Sequence, residues 1–567
     1  MLRPLQFFKL LSTCLFLGLC GTMSAQSADT VQGWTDDQRE RYYHLPQGSR
    51  MMPYKWFRAL ENEAGTALFS SRENLQIYGF IPSPYTGKSN PDGLPIGFAI
   101  EEVHDGGAFR VGETNDGSAQ TGKKKAIVGL TCAACHTADV TVRGKTIRYD
   151  GAPAMLDFDT FYQDLAQAVN QTLFEPARFE KFAAKVLDKP TKQAIAQLEQ
   201  EFAVLQTEMT ADAIIRKPVV HSGFGRLDGL TQIANALAVR DQMQPLNLRG
   251  VAAPVSYPSL WLTPQLEFVQ WNPIAASPIG RNAGEVMGVF GSAVLSGNGK
   301  DLYRSTLLLE NLYELEDLVS KLEAPAWNES IQGKIDRALA EAGALLFKQN
   351  CAGCHNEMPY RRTDPKKNFF GKTFIEIGRV DYKAVGTDPV YVQSMIDRYV
   401  LTNEATAPLF KDAPLVPVSE YYLGAVGAIV GKAMVAAKLT QQEEAEWNGF
   451  RTRKMADGKP GPYLPPSYQD LKASPLEAVW ATGPYLHNGS VPTIYELLSP
   501  EEERRKVFWT GGSDLDLDKL GYVSDEAPGL FRFDTSIPGN GNQGHNYPKG
   551  GLTHDQRLAL IEYLKGQ

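Results

Sequence analysis

The chain has 567 residues, six cysteines and a formal net charge of −8, from 57 Lys and Arg against 65 Asp and Glu. That acidic balance excludes nucleic acid as a partner, which would require a basic face to meet phosphate. With 51 Gly and 35 Pro, the composition predicts one or two sizeable cores wrapped in extensive loop.

The first 25 residues have the form of a secretory signal. Arg3 and Lys9 precede an apolar run from Leu10 to Leu19, and small and polar residues follow at Ser24-Ala25-Gln26-Ser27-Ala28, so cleavage is expected after Ala25. The apolar run falls short of the roughly 20 residues that cross a bilayer. No later stretch is long and apolar enough either, so no stable membrane anchor is expected after cleavage. Leu19 before Cys20 argues against a lipid-attachment site, which wants a small residue there. The mature protein is expected in the periplasm or secreted, and is two charges more negative without Arg3 and Lys9.

Between Trp34 and Lys125 the periodicity is weak. Ile96-Gly97-Phe98-Ala99-Ile100 alternates as a strand does, and His44 and His104 read as ordinary hydrogen-bonded or surface residues. A short apolar approach, Ile127 to Thr131, leads to Cys132-Ala133-Ala134-Cys135-His136. The same pattern returns at Cys351-Ala352-Gly353-Cys354-His355. In a covalent c-type haem site two thiols add to the two vinyl groups of one porphyrin, a two-residue spacer sets their separation, and the next His binds the iron from the proximal side. Thioredoxin-like redox pairs and half zinc sites share the Cys-x-x-Cys spacing but leave the two histidines unexplained. Export agrees with haem attachment on the periplasmic side, where unpaired thiols would otherwise oxidise. The four remaining cysteines are all used by the two motifs, so none is left for a disulfide.

Downstream of the first motif, Phe158, Phe161, Tyr162, Leu165, Ala168 and Val169 recur at helical spacing, and a second helix is predicted over residues 191–215 between Pro190 and Pro218. The first motif is therefore expected in a larger helical domain. Gly223-Phe224-Gly225-Arg226-Leu227-Asp228 opens an apolar helix through Ile233 and Leu237. Tyr257, Trp261, Phe268 and Trp271 give an aromatic density that suits either a core or a haem pocket, and Arg281 in Gly280-Arg281-Asn282-Ala283-Gly284-Glu285 is a partner for a propionate or for solvent.

A helix over residues 311–322 ends at Glu323-Ala324-Pro325, where the domain junction is placed: 26–323 for the N-terminal haem domain and 324–567 for the C-terminal one. Ile335, Leu339, Ala342 and Leu346 form one face of a helix that runs into the second motif, and Thr553-His554-Asp555-Gln556 opens a terminal helix with a capping box. Small c-type cytochromes cross their first and last helices on a Gly and an aromatic, an arrangement that Gly343 or Phe347 against Tyr563 would satisfy. His545, in Gly544-His545-Asn546-Tyr547, and His487 stand in loop-rich sequence. They rank first and second as distal ligands of the second haem, ahead of Met395 and Met434.

The two motifs, together with Gly483-Pro484-Tyr485-Leu486-His487-Asn488-Gly489-Ser490-Val491-Pro492-Thr493, resemble the di-haem cytochrome c peroxidase and MauG superfamily. Within it the likeness is greatest to the larger rubber oxygenase-like di-haem c-type cytochromes. It covers most of the mature chain, including residues 223–228, 253–285 and 544–564. It implies a mainly α fold with extensive loops and minor β, two covalent haem c groups on Cys132, Cys135, Cys351 and Cys354, and proximal ligands His136 and His355. It also implies a division of labour in which one haem activates peroxide or dioxygen while the other exchanges electrons. Rubber oxygenase-like proteins react at the first haem and the smaller peroxidases at the second, so the order stays open. No residue is assigned as catalytic, since no position identifies a distal acid or a distal aromatic. The expectation is a haem-dependent periplasmic oxidoreductase, peroxidase-like in its leading form. A non-catalytic electron carrier and a dioxygenase on an apolar substrate are the alternatives. Its partners would be a periplasmic electron donor or acceptor and peroxide, dioxygen or a small apolar molecule.

Overall fold

The computed structural model describes residues 28–29, 32–104 and 124–567; the expected leader and its cysteines lie outside them. The fold is mixed and mostly helical. Near the N-terminus, strands β1 (Phe98–His104) and β2 (Lys124–Leu130) pair antiparallel with Phe98 opposite Leu130. The predicted strand thus begins two residues late, because Gly97 adopts φ +89, a left-handed turn that a strand interior does not accommodate. Strand β2 runs directly into the first Cys-x-x-Cys-His, and β3 (Thr137–Val142) leaves it to form a hairpin with β4 (Lys145–Asp150). Arg143 and Gly144, with φ 50 and 77, make the two-residue turn that suits the twist of a hairpin. The immediate frame of the first motif is therefore strand, where helix was expected. The alternation Thr137, Asp139, Thr141 against Ala138, Val140, Val142 carries the strand signal.

Helices α1 (Phe158–Phe174), α2 (Pro176–Val186) and α3 (Lys192–Arg216) share one apolar cluster with Phe98, Val128 and Leu130 of the β1–β2 pair. Asp157 and Thr191 cap α1 and α3 by accepting from the amides of Thr160 and Ala194, groups left unpaired in any first turn. The apolar face of α1 buries Phe158, Phe161, Tyr162 and Leu165. Phe161 meets Phe80 at 4.9 Å, edge to face, a favourable arrangement for aromatic quadrupoles. His44 is a buried structural residue, bonded through Nδ1 to the Phe98 carbonyl at 2.7 Å and through Nε2 to Ser83 at 2.9 Å.

Helices α4 (Pro278–Gly288) and α5 (Leu309–Ser320) pack against each other next. In the C-terminal part, α6 (Arg337–Asn350) crosses α7 (His554–Leu564). Thr553 forms the capping box with Gln556. A Cβ on Gly343 would stand 2.0 Å from the Ala559 carbonyl oxygen, and Phe347 meets Tyr563 at 5.1 Å. The crossing is therefore set by a missing side chain on one helix and an aromatic pair beside it. Gly343→Leu is expected to force the helices apart at a cost of about 1–3 kcal/mol, read as a lower thermal midpoint. One apolar core joins Trp34, Leu315, Phe347, Tyr391 and Leu560, so it spans both sides of residue 323. Among the described residues, no helix is long and apolar enough to cross a membrane.

Candidate functional site: two cavities behind two Cys-x-x-Cys-His turns

Each motif closes the same kind of turn. In the first, the amides of Cys135 and His136 donate to the Cys132 carbonyl at 3.2 and 3.0 Å, and Thr131 Oγ1 accepts from Ala133 N. In the second, the amides of Cys354 and His355 donate to the Cys351 carbonyl at 3.1 and 2.9 Å. These turns put both thiols and the following imidazole on the wall of one cavity, about 170 Å³ at the first motif and about 320 Å³ at the second. The imidazoles are oriented alike. His136 Nδ1 lies 2.8 Å from the Pro258 carbonyl, and His355 Nδ1 lies 2.8 Å from the Ser474 carbonyl. A carbonyl can only accept, so each Nδ1 carries the proton and each Nε2 keeps its lone pair, as metal-ligating histidines require. Burial holds both imidazoles neutral, lowering His136 to about 4 and His355 in the same direction.

The thiols are buried on the cavity walls. Burial pushes Cys135 up to about 12 and Cys351 up to about 11, opposite to the depressed values of redox-active pairs. The two Cys pairs stand in separate cavities, and no cluster of three or more metal-binding side chains occurs among the described residues.

Beyond the turns the two cavities differ. Facing His355 is His545, whose ring centre lies 6.2 Å away. Two imidazoles bound to opposite faces of one metal, each by a nitrogen about 2 Å from it, have ring centres about 6 Å apart. The His545 loop is held by its backbone. Arg504 Nη1 donates to the carbonyls of Asn542 and Gly544 at 2.6 and 2.9 Å, Glu501 accepts from Gly544 N at 2.7 Å, and His545 N donates to Val385. Gly544 has φ +79, and a Cβ there would lie 2.5 Å from the Gly386 backbone, so only glycine fits. Burial, with His355 nearby, lowers His545 to about 3.

His487 lines the same larger cavity but stands against Tyr391, ring centres 5.8 Å apart, with Nε2 buried and unbonded. Met395 and Met434 are buried in the core and line neither cavity.

Among the described residues, no second imidazole and no thioether lines the cavity at His136. Its wall carries instead a polar group on α4 and α5. Arg281 forms a buried ion pair with Glu316, Asn282 Nδ2 donates to Glu316 at 2.7 Å, and Gln270 Nε2 donates to Glu285 at 3.4 Å. Glu285 is pushed up to about 7, chiefly by burial and further by Glu316, against the pull of Arg281. Arg281, read as a partner for propionate or solvent, thus has a protein carboxylate. Glu285 went unassigned in the sequence, although Arg281 and Glu285 share a helical face at i, i+4 spacing. The carbonyls of Pro258 and Ser474 have no sequence signal at all, since every residue carries one.

Residues 471–510 match a family model described as RoxA-like, cytochrome c-like. This segment includes Ser474, which orients His355, and His487. Across nearly the whole length, the chain is 34% identical over 574 residues to uncharacterized protein y4iJ of Sinorhizobium fredii (strain NBRC 101917 / NGR234), covering 94% of this chain and 92% of that protein. The chain belongs to the y4iJ family. A second protein of the same organism, uncharacterized protein y4iM, is 25% identical over 367 residues, covering 59% of this chain and 70% of that protein. A RoxA-like cytochrome c-like region implies haem c, and places this member of the y4iJ family with c-type cytochromes.

Proposed function

We propose that this protein is a periplasmic di-haem c-type oxidoreductase that reduces peroxide. The observation that supports it is the asymmetry between two otherwise matching turns. His355 has a second imidazole at the separation of a shared metal, whereas His136 faces a cavity with acidic groups and, among the described residues, no second His or Met. Cys351, Cys354, His355 and His545 would hold the haem that exchanges electrons. Cys132, Cys135 and His136 would hold the one that meets peroxide. Bound at these sites, haem c supplies the one-electron chemistry that amino acids lack.

The chain's own residues do the rest. The Pro258 and Ser474 carbonyls fix each proximal imidazole with its lone pair free, and the apolar walls exclude water. Glu285 would accept a proton from peroxide in this cavity and return it as the O–O bond breaks; two electrons from a periplasmic donor and two further protons carry both oxygens to water. A carboxyl near 7 suits that exchange at neutral pH. Arg281 and Glu316 position the acidic group. A purely apolar wall would favour dioxygenase chemistry on an apolar substrate; this polar group favours peroxide. A simple electron carrier would require a second protein ligand opposite His136.

Pyridine haemochrome analysis of the exported protein is expected to give two haems per chain. Optical and EPR spectra should show one low-spin haem and one that takes cyanide or carbon monoxide. Two low-spin haems that refuse external ligands would sink the enzyme reading.

A further inference from the structure

The two cavities share a wall made of Tyr257, Pro258, Ser259, Trp271 and Lys472. Lys472 sits on the strand Asp470–Ala473, two residues before the Ser474 carbonyl that orients His355, and its amide donates to the Trp271 carbonyl at 2.8 Å. The backbone therefore fixes where this side chain emerges. Among the described residues, its ammonium has no hydrogen-bond or ion-pair partner. Burial, and after it the nearby guanidinium of Arg281, another cation, lower Lys472 to about 8. Arg281 is already neutralised by Glu316. An ammonium without a counter-ion on a cavity wall is costly, and the carboxylates that line the two cavities are held by other groups, Glu316 by Arg281, Glu285 by Gln270 and Glu477 by Tyr360. An anion that enters with the occupant of those cavities would remove the cost.

We propose that Lys472 is an anion site in the wall between the two cavities, and that its ligand is a haem propionate carboxylate. This rests on the reading of both cavities as haem sites. Each haem c carries two propionates, and one cation lining both cavities can act on both groups. A positive charge there stabilises the electron-rich reduced state of each haem. Lys472 is a positioning and potential-setting residue and does not touch peroxide.

The test is spectroelectrochemical titration of holoprotein carrying Lys472→Gln or Lys472→Arg. In K472Q both midpoint potentials are expected to fall, each by about tenfold in the reduced-to-oxidised ratio at fixed potential, the size of one charge acting through a partly polar medium. K472R should restore both. The propionate-bending bands in resonance Raman should move in K472Q alone, which separates a lost anion contact from general loosening of the fold. Unchanged potentials and unchanged bands in K472Q overturn the assignment. So does a saturable response of the wild-type spectrum to acetate that K472Q lacks, with potentials unmoved, since Lys472 would then hold a diffusible carboxylate. Failure of the peroxidase reading shows separately, as potentials that shift as expected in a protein that does not consume peroxide.

Discussion

Glu285→Gln is expected to lower the rate of peroxide reduction by about 10²- to 10⁴-fold, the usual worth of a positioned proton-transfer group, while both haems remain bound. Gln keeps the shape and the contact with Gln270 but can neither accept the proton nor return it. The same residue predicts the pH dependence. The proton can be accepted only by the carboxylate, so peroxide turnover should fall as pH drops through about 7, the value to which burial raises Glu285, and E285Q should lose that limb of the profile. Stability moves the other way. A carboxyl raised in the folded state stabilises the fold below its unfolded pKa, and that contribution is lost as pH rises through the folded value. Removing the charge should therefore leave the thermal midpoint at pH 8 unchanged or higher. A variant that loses turnover and also unfolds early would point to a structural role for Glu285, and unchanged turnover would remove it from the reaction.

The motifs were legible because covalent haem attachment demands particular atoms at particular spacing, and that demand is written locally. The chemistry expected of a Cys-x-x-Cys-His pattern marks Cys132 to His136 and Cys351 to His355 from the sequence alone. The crossing of α6 and α7 was legible for a similar reason: Thr553 and Gln556 cap by a short-range rule, and a glycine facing an aromatic is a small, recognisable device. The groups that orient the two imidazoles were not legible. Pro258 lies 122 residues from His136, and Ser474 lies 119 residues from His355, and each acts through a backbone carbonyl that any residue would provide. Glu285 and Lys472 failed to stand out for a different reason. A lone Glu or Lys in a sequence is ordinarily solvated, and only the folded walls show that these two are enclosed. The strand frame of the first motif was missed because the long helices downstream dominated the pattern, although Thr137 to Val142 alternates strictly.

His545→Asn separates the two histidines that sequence alone could only rank. Asn tolerates the left-handed backbone at this position, where φ is +55, and it does not bind haem iron as an imidazole does. The loop is tied by Arg504, Glu501 and the Val385 carbonyl, none of which uses the His545 side chain. The substitution should therefore remove the ligand and leave its support in place. The low-spin EPR signal assigned to the haem at His355 is expected to disappear and a high-spin signal of equal intensity to replace it. Carbon monoxide should then bind at both haems, and millimolar imidazole should restore the low-spin form. Loss of a ligand that buffers the iron should also slow electron delivery, so steady-state peroxide reduction falls even though the first cavity is untouched. His487→Asn is the matched control: its ring lies tilted against Tyr391, whereas His545 is the ring that faces His355, and the low-spin signal should persist. If the two variants exchanged outcomes, His487 would be the ligand. That would require the ring to leave Tyr391 when the cavity is filled, a movement for which its unbonded Nε2 is the only present incentive.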